Sequence, residues 1–108
     1  MIQFEKMRIY IGLGSNLNDP VTQIKTALAA LDALPETCCV QHSSLYRSAP
    51  LTLNAHAQPD YINAVAALDT QLEPMQLLIE LQALEQRQGR TRSAGRWTPR
   101  TLDLDLLL

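Results

Sequence analysis

The chain has 108 residues, of which 46% are hydrophobic. This length is enough for one small domain with a hydrophobic core, so we expect residues 1–108 to form a single domain. The formal net charge of −2 is unevenly spread: residues 1–86 carry four basic and nine acidic side chains, and residues 87–108 carry five basic and two acidic ones. Nonspecific nucleic-acid binding usually needs a basic domain, so a local positive patch on an acidic body favours a small anionic ligand.

The two cysteines, Cys38 and Cys39, are adjacent in the sequence. This spacing is poor geometry for a disulfide, and no further cysteine offers a partner or a metal-ligand spacing. We therefore expect two reduced thiols and a cytoplasmic protein. The N-terminal residues contain no apolar run long enough for a signal peptide or a membrane span, so no membrane partner is expected.

The first predicted elements are a strand and a helix. Residues 8–13 alternate in polarity and end at Gly12 and Gly14, which predicts a short central strand that runs into a turn. The two glycines lack the third glycine of a dinucleotide-binding motif and the lysine of a P-loop, so they indicate only a turn. Asp19 and Pro20 predict a helix start. The apolar stripe of this helix is Val21, Ile24, Leu28, Leu31 and Leu34, and Pro35 ends it.

Two further strands follow. Residues 38–46 predict a second strand, and the loop at 47–59 is long enough to suggest a function. The third strand has Ile62, Ala64, Ala66 and Leu68 on one face. Tyr61 and Asn63 share the opposite face, where an aromatic ring and an amide would suit a flat heterocycle with an amide-like edge. Alternatively, Tyr61 covers core and Asn63 satisfies a neighbouring backbone group.

Glu73 and Pro74 predict the start of a second helix, which Gly89 ends. Its predicted buried stripe is Leu77, Leu78, Leu81 and Leu84. The order strand, helix, strand, strand, helix, strand predicts an α+β fold, a ferredoxin-like βαββαβ sandwich with an antiparallel sheet and both helices on one face. The other face of the sheet would remain for ligands.

The C-terminal residues combine two opposite charges. Five arginines without an intervening acid stand at Arg87, Arg90, Arg92, Arg96 and Arg100. After them, Asp103 and Asp105 alternate with leucines, so a strand would place both carboxylates on one face, roughly 6.6 Å apart along the chain. This arrangement suits a pair of Mg²⁺ ions that bind a polyphosphate. A solvated strand face is the alternative, but aspartate is depleted in strands and like charges repel.

Residues 96–107, RWTPRTLDLDLL, resemble the signature of the 6-hydroxymethyl-7,8-dihydropterin pyrophosphokinases, enzymes of folate biosynthesis. Three other stretches resemble motifs of the same family: GSNL at 14–17, YRSAP at 46–50 and QPDYIN at 58–63. Thr98 and Thr52 stand where the family usually has glycine. Ser48 stands where it commonly has threonine, and this exchange keeps the hydroxyl group.

The resemblance implies Mg²⁺-dependent transfer of the β,γ-diphosphate of ATP, the co-substrate, to the hydroxymethyl group of the pterin. Asp103 and Asp105 would hold two Mg²⁺ ions, and Arg90 and Arg100 would stabilise charge on the transferred group. The implied ATP contacts are Gln82, Glu85, Arg92 and Arg100, and the implied pterin contacts are Asn16, Ser48, Ala49, Pro50, Leu51, Tyr61, Asn63 and Trp97.

Several of these positions have equally good structural interpretations. Gln82 and Glu85 could be ordinary solvated helix residues, and Asn16 could cap a turn. A competing hypothesis for the whole chain is a non-catalytic ferredoxin-like module that binds nucleotide, RNA or a partner chain, or an inactive fragment of the enzyme. RNA-binding sheets display aromatic side chains, whereas this chain has five aromatic residues and no RNA-binding motif of that kind.

The family continues beyond residue 108 with a histidine, an arginine and an aromatic side chain for the two ligand sites. We therefore expect little activity from the 108-residue form, because these groups would position the substrates. The complete enzyme is expected to be a monomer, although an open strand edge could pair with another chain. We also expect residues 89–99 to become ordered only when both ligands bind, with Trp97 covering the pterin.

Overall fold

The computed structural model describes residues 5–49, 59–89 and 101–107. The elements in chain order are β1 (Met7–Ser15), α1 (Pro20–Asp32), β2 (Thr37–His42), β3 (Tyr46–Ser48), β4 (Tyr61–Thr70), α2 (Pro74–Arg87) and β5 (Asp103–Leu107). Neither helix in these ranges is long and apolar enough to cross a membrane.

All strand pairs are antiparallel, and the order across the sheet is β2-β4-β1-β5. This order and the two crossover helices confirm the predicted ferredoxin-like α+β fold. The prediction of one strand over residues 38–46 was only partly right, because β2 and β3 pair with successive stretches of β4. Between them, Ser43 replaces regular pairing: its N–H donates to the Val65 carbonyl (2.8 Å), and its Oγ accepts from the Val65 N–H (2.9 Å).

The core lies between the two helices and one face of the sheet. The predicted alternation in β1 is confirmed, since Ile11 and Leu13 are buried there and Ile9 packs against them. The other buried members of this cluster are Ile24, Ala27, Leu28, Leu31, Leu34, Ala64, Ala66, Leu68, Leu77, Leu81, Leu84, Leu102 and Leu104. Burial of one such leucine contributes about 1.5–3 kcal/mol to folding.

Helix α1 begins at Pro20, as predicted, with Asp19 in the left-handed region (φ 60°) before it. Asp19 accepts a hydrogen bond from the Thr22 hydroxyl (2.8 Å), which fixes the first turn. Val21 does not belong to the buried stripe as predicted: it lies in this first turn and is 40% exposed. Ala27, which is fully buried, belongs to the stripe instead.

Helix α2 begins with a capping box, in which Glu73 and Gln76 each bond the other's backbone N–H. Leu78 was predicted to be buried and is 39% exposed. It is one residue, or about 100° of helical rotation, from the buried Leu77 and therefore lies at the margin of the apolar face. Glu85 lies on the buried face instead and is only 6% exposed.

Two local features of the sheet concern titratable groups. Arg8 and Asp69 face each other in the β1–β4 register and form an exposed ion pair, and the hydrogen bond from Arg8 holds the pKa of Asp69 below its usual value. Cys38 and Cys39 are free thiols in β2, as predicted. Partial burial raises the pKa of the Cys39 thiol.

The contrast between two positions of α1 gives a test of the packing. Leu31→Ala should lower the free energy of unfolding by about 2–5 kcal/mol, because Leu31 is fully buried and its truncation leaves a cavity. Val21→Ala, on the same helix, should change it by less than about 1 kcal/mol. Urea denaturation measures both values. Equal losses in the two variants would contradict the assignment of the buried face.

Candidate functional site

The face of the sheet opposite the helices, called the open face below, collects the polar side chains of the central strands. The register places Gly14 of β1 between Asp103 of β5 and Asn63 of β4. Two residues earlier in β1, Gly12 lies between Asp105 and Val65. Each carboxylate therefore has a glycine, with no side chain, as its neighbour on the adjacent strand.

The predicted alternation in β5 is confirmed. Leu102 and Leu104 are buried in the core, whereas Asp103 is partly buried and Asp105 is exposed. Because successive side chains of a strand point to opposite faces, the two aspartates share the open face. The chain thus presents two carboxylates, separated by one residue, beside the central strand.

Tyr61 and Asn63 lie together on the same open face, as predicted. A Cβ atom placed on Gly14 would be 3.4 Å from Asn63 Oδ1 and 3.6 Å from the Tyr61 ring, so both side chains lean over this glycine. The Asn63 amide nitrogen donates to Ser48 Oγ (2.8 Å) and, with a longer contact, to the Tyr46 carbonyl (3.4 Å). These two bonds orient the amide so that its carbonyl oxygen faces Gly14.

Asn16 is 1% exposed at the end of β1. Its side-chain nitrogen donates to the Pro59 carbonyl (3.0 Å), which joins the end of β1 to the residues that lead into β4. This bond spans 43 residues of sequence and is therefore not the local turn cap that was the structural alternative, and the pterin contact of Asn16 stays a prediction. The bond also fixes where the chain enters β4, two residues before Tyr61.

A shallow depression of about 240 Å³ lies farther along the open face. Its lining residues are Tyr10, Gln41, His42, Ser43, Val65 and Ala67. The His42 Nδ1 atom lies 2.8 Å from the Ser43 carbonyl, so this ring nitrogen is engaged with the backbone.

Over residues 10–108, the chain matches the family of 7,8-dihydro-6-hydroxymethylpterin-pyrophosphokinases. The chain belongs to this pyrophosphokinase family. It is 54% identical over 99 residues to the 2-amino-4-hydroxy-6-hydroxymethyldihydropteridine pyrophosphokinase of Haemophilus influenzae (92% of this chain, 60% of the relative). It is 55% identical over 101 residues to that of Pseudomonas aeruginosa (94% and 60%) and 39% identical over 99 residues to that of Bacillus subtilis (92% and 58%). The chain therefore spans about 60% of the length of these relatives.

The two helix positions that the pyrophosphokinase resemblance connects with ATP differ in environment. Gln82 is exposed on α2, whereas Glu85 is buried and its Oε2 accepts a hydrogen bond from the Leu104 N–H (3.0 Å). This contact between helix and strand was not predicted from the sequence. The sequence could have predicted the burial of Glu85, because a helical period of 3.6 residues places it on the same face as Leu77, Leu81 and Leu84.

Several predicted site residues lie outside the described residues: Pro50, Leu51, Arg90, Arg92, Trp97 and Arg100. The expectation for residues 89–99 lies there too, apart from Gly89. Ala49 is described and exposed. A Cβ atom on Gly89 would lie 3.6 Å from Thr101 Oγ1, so the two described ends of the arginine-rich segment are neighbours. Both ends lie close in sequence to elements of the site, Gly89 after α2 and Thr101 before β5.

Asn16 provides a test of how the site is supported. Asn16→Ala should lower the free energy of unfolding by about 0.5–1.5 kcal/mol, because the hydrogen bond from its buried amide to the Pro59 carbonyl is lost. Asn16→Asp keeps the shape but replaces the donor with an acceptor that faces that carbonyl, so it should cost at least as much. Urea denaturation measures both, with the exposed Gln41→Ala as control. An Asn16→Asp variant as stable as the wild type would contradict the assignment.

Proposed function

We propose that the protein transfers pyrophosphate from ATP to 6-hydroxymethyl-7,8-dihydropterin in an Mg²⁺-dependent reaction. The relatives carry the name of this activity, and one structural observation supports it most directly. Asp103 and Asn63 flank Gly14 on the open face, so a carboxylate and an oriented amide lie on either side of a position without a side chain. A phosphate-bearing substrate and a heterocycle could meet there.

The donor set fits magnesium. Carboxylate oxygens are hard ligands, and Mg²⁺ typically binds through one or two of them while water and substrate phosphates complete its coordination. In the described ranges, no group of three or more His, Cys, Asp and Glu side chains could hold a metal, so an ion at Asp103 and Asp105 would take its other ligands from water and substrate phosphates. Two such ions, as proposed here, would neutralise the charge of the phosphates when bound.

The pterin side of the site would be formed by Tyr61 and Asn63. Because the Asn63 amide nitrogen is engaged with Ser48 Oγ, its carbonyl oxygen is oriented to accept a hydrogen bond from an N–H group of the ligand. Tyr61 supplies an aromatic surface over Gly14. A planar ring with N–H donors at its edge satisfies both groups, and a reduced pterin is such a ring.

The arginines would supply the charge on the phosphate side. We assign Arg90 and Arg100 to the charge that develops on the transferred group, and Arg92 to the nucleotide. Trp97 would cover the pterin. Gly89 and Thr101, the described residues on either side of residues 90–100, are close neighbours, and Thr101 lies just before β5, which supports this assignment.

The metal assignment predicts the behaviour of two conservative variants. Asp103→Asn and Asp105→Asn should each weaken Mg²⁺-dependent binding of an ATP analogue by at least about tenfold, because each removes a charged oxygen ligand. Asp69→Asn is the matched control, since this aspartate lies on a strand of the same sheet but pairs with Arg8. Calorimetry with and without Mg²⁺ measures the difference. Unchanged binding in both variants would exclude the metal site and favour a non-catalytic module.

The pterin assignment predicts a graded effect at Ser48. Ser48→Ala should weaken pterin binding about two- to twelvefold, because a hydrogen bond that orients an amide is worth about 0.5–1.5 kcal/mol. Ser48→Thr keeps the hydroxyl group and should bind within about twofold of the wild type. Fluorescence titration with the pterin in the presence of Mg²⁺ and an ATP analogue measures both. Equal weakening by alanine and threonine would contradict the role of the hydroxyl group.

A further inference from the structure

Glu85 is a polar residue in an apolar environment. Its neighbours on the buried face of α2 are Leu77, Leu81 and Leu84, and only 6% of the residue is exposed. A buried carboxyl group costs free energy unless hydrogen bonds compensate for the lost water. The bond from the Leu104 N–H to Glu85 Oε2, 3.0 Å long, is such a compensation and joins α2 directly to the backbone of β5.

The hydrogen bond from Leu104 to Glu85 lies on the side of β5 that does not pair with β1. In an antiparallel pair, the N–H groups of one strand alternate between facing the partner strand and facing away from it. The Leu104 N–H donates to Glu85, so it belongs to the set that faces away from β1. Within the described sheet, β5 is an edge strand. Glu85 therefore accepts a hydrogen bond from a backbone N–H that would otherwise be unpaired at this edge.

Leu104 stands between the two aspartates, so this single bond acts at the centre of the pair. β5 has five residues and, in the described part of the chain, pairs only with β1. A slip of one residue would move both carboxylates to the core face. A second attachment, from the opposite side of the strand, limits both such a slip and smaller displacements of Asp103 and Asp105.

We propose that Glu85 is a positioning residue for the metal site: by holding the Leu104 N–H, it fixes the separation and direction of Asp103 and Asp105. This inference rests on the proposed metal-binding function of that pair. Glu85 acts through the backbone of β5 and does not contact the metal. Groups that hydrogen-bond a metal ligand directly typically change metal affinity about 10–100-fold when they are altered, and for Glu85, which acts through the adjacent backbone, we expect the lower end of this range.

Three variants separate the hydrogen bond from the charge. Glu85→Gln keeps an acceptor oxygen at the same reach and removes the charge, whereas Glu85→Asp keeps the charge and withdraws the acceptor by one methylene. Glu85→Leu removes both and stays apolar. Leu77→Val, two turns away on the same buried face, is the control for a general loss of packing.

Two measurements are made on each variant: hydrogen exchange of the Leu104 amide by NMR, and affinity for Mn²⁺, a paramagnetic substitute for Mg²⁺, at a saturating concentration of a non-hydrolysable ATP analogue. Saturation with the analogue keeps the ATP contact that the resemblance implies for Glu85 out of the comparison. Glu85→Gln and Leu77→Val should keep the amide protected and bind Mn²⁺ within about threefold of the wild type. Glu85→Asp and Glu85→Leu should lose protection at Leu104 and bind Mn²⁺ at least about tenfold more weakly.

The outcomes distinguish this inference from the proposed function. If the wild type binds no Mn²⁺, the metal assignment fails, while loss or retention of Leu104 protection in Glu85→Asp still decides whether Glu85 holds the strand. If the wild type binds Mn²⁺ and Glu85→Asp binds it equally well, the positioning role is wrong. Weak binding by Glu85→Gln together with normal binding by Glu85→Asp would also overturn it, because the charge and not the hydrogen bond would then matter. Should Glu85→Leu fail to fold, the aspartate and glutamine variants still give the answer.

Discussion

The pairing of β1 with β5 is the constraint on which the open face depends. It places Gly14 opposite Asp103 and Gly12 opposite Asp105, and it buries Leu104 beside Leu13. Because side chains alternate along a strand, one register satisfies both requirements: leucines in the core and carboxylates outside. The hydrophobic effect thus selects the register, and the position of the charged groups follows from it.

Much of the fold could be predicted from local patterns. The alternation in β1 and β5, the proline-marked helix starts and the order of elements were sufficient for the ferredoxin-like arrangement, because each reflects a period or a turn that neighbouring residues determine. The wrong predictions concern positions where burial or strand pairing depends on tertiary packing and not on neighbouring residues. Val21 and Leu78 fit an apolar helical stripe, yet one lies in a first turn and the other at the margin of the buried face, so both are exposed. The break in the second strand arises at Ser43, whose bonds with Val65 could not be inferred from composition.

The candidate site was predictable to the extent that it follows strand alternation. That rule placed Asp103 with Asp105 and Tyr61 with Asn63, but it could not show how the two pairs come together or what holds them. Each supporting contact joins residues that are distant in the sequence: Asn63 to Ser48 across 15 residues, Glu85 to Leu104 across 19 and Asn16 to Pro59 across 43. Such hydrogen bonds depend on the packed arrangement of helices and strands, and no local pattern specifies them.

Two of the buried polar side chains share a structural role, which offsets the free-energy cost of burying them. Asn16 and Glu85 both lie in the protein interior, and each bonds a backbone group beside the open face, the Pro59 carbonyl in one case and the Leu104 N–H in the other. An apolar residue in either place would bury more carbon surface but would leave that backbone group without this partner. Apolar packing resists changes in volume but tolerates small shifts along a strand, whereas a hydrogen bond to a particular N–H or carbonyl specifies one position. The interior therefore determines where β4 begins and where β5 is held, and through these two positions it determines where the amide and the carboxylates of the open face are presented.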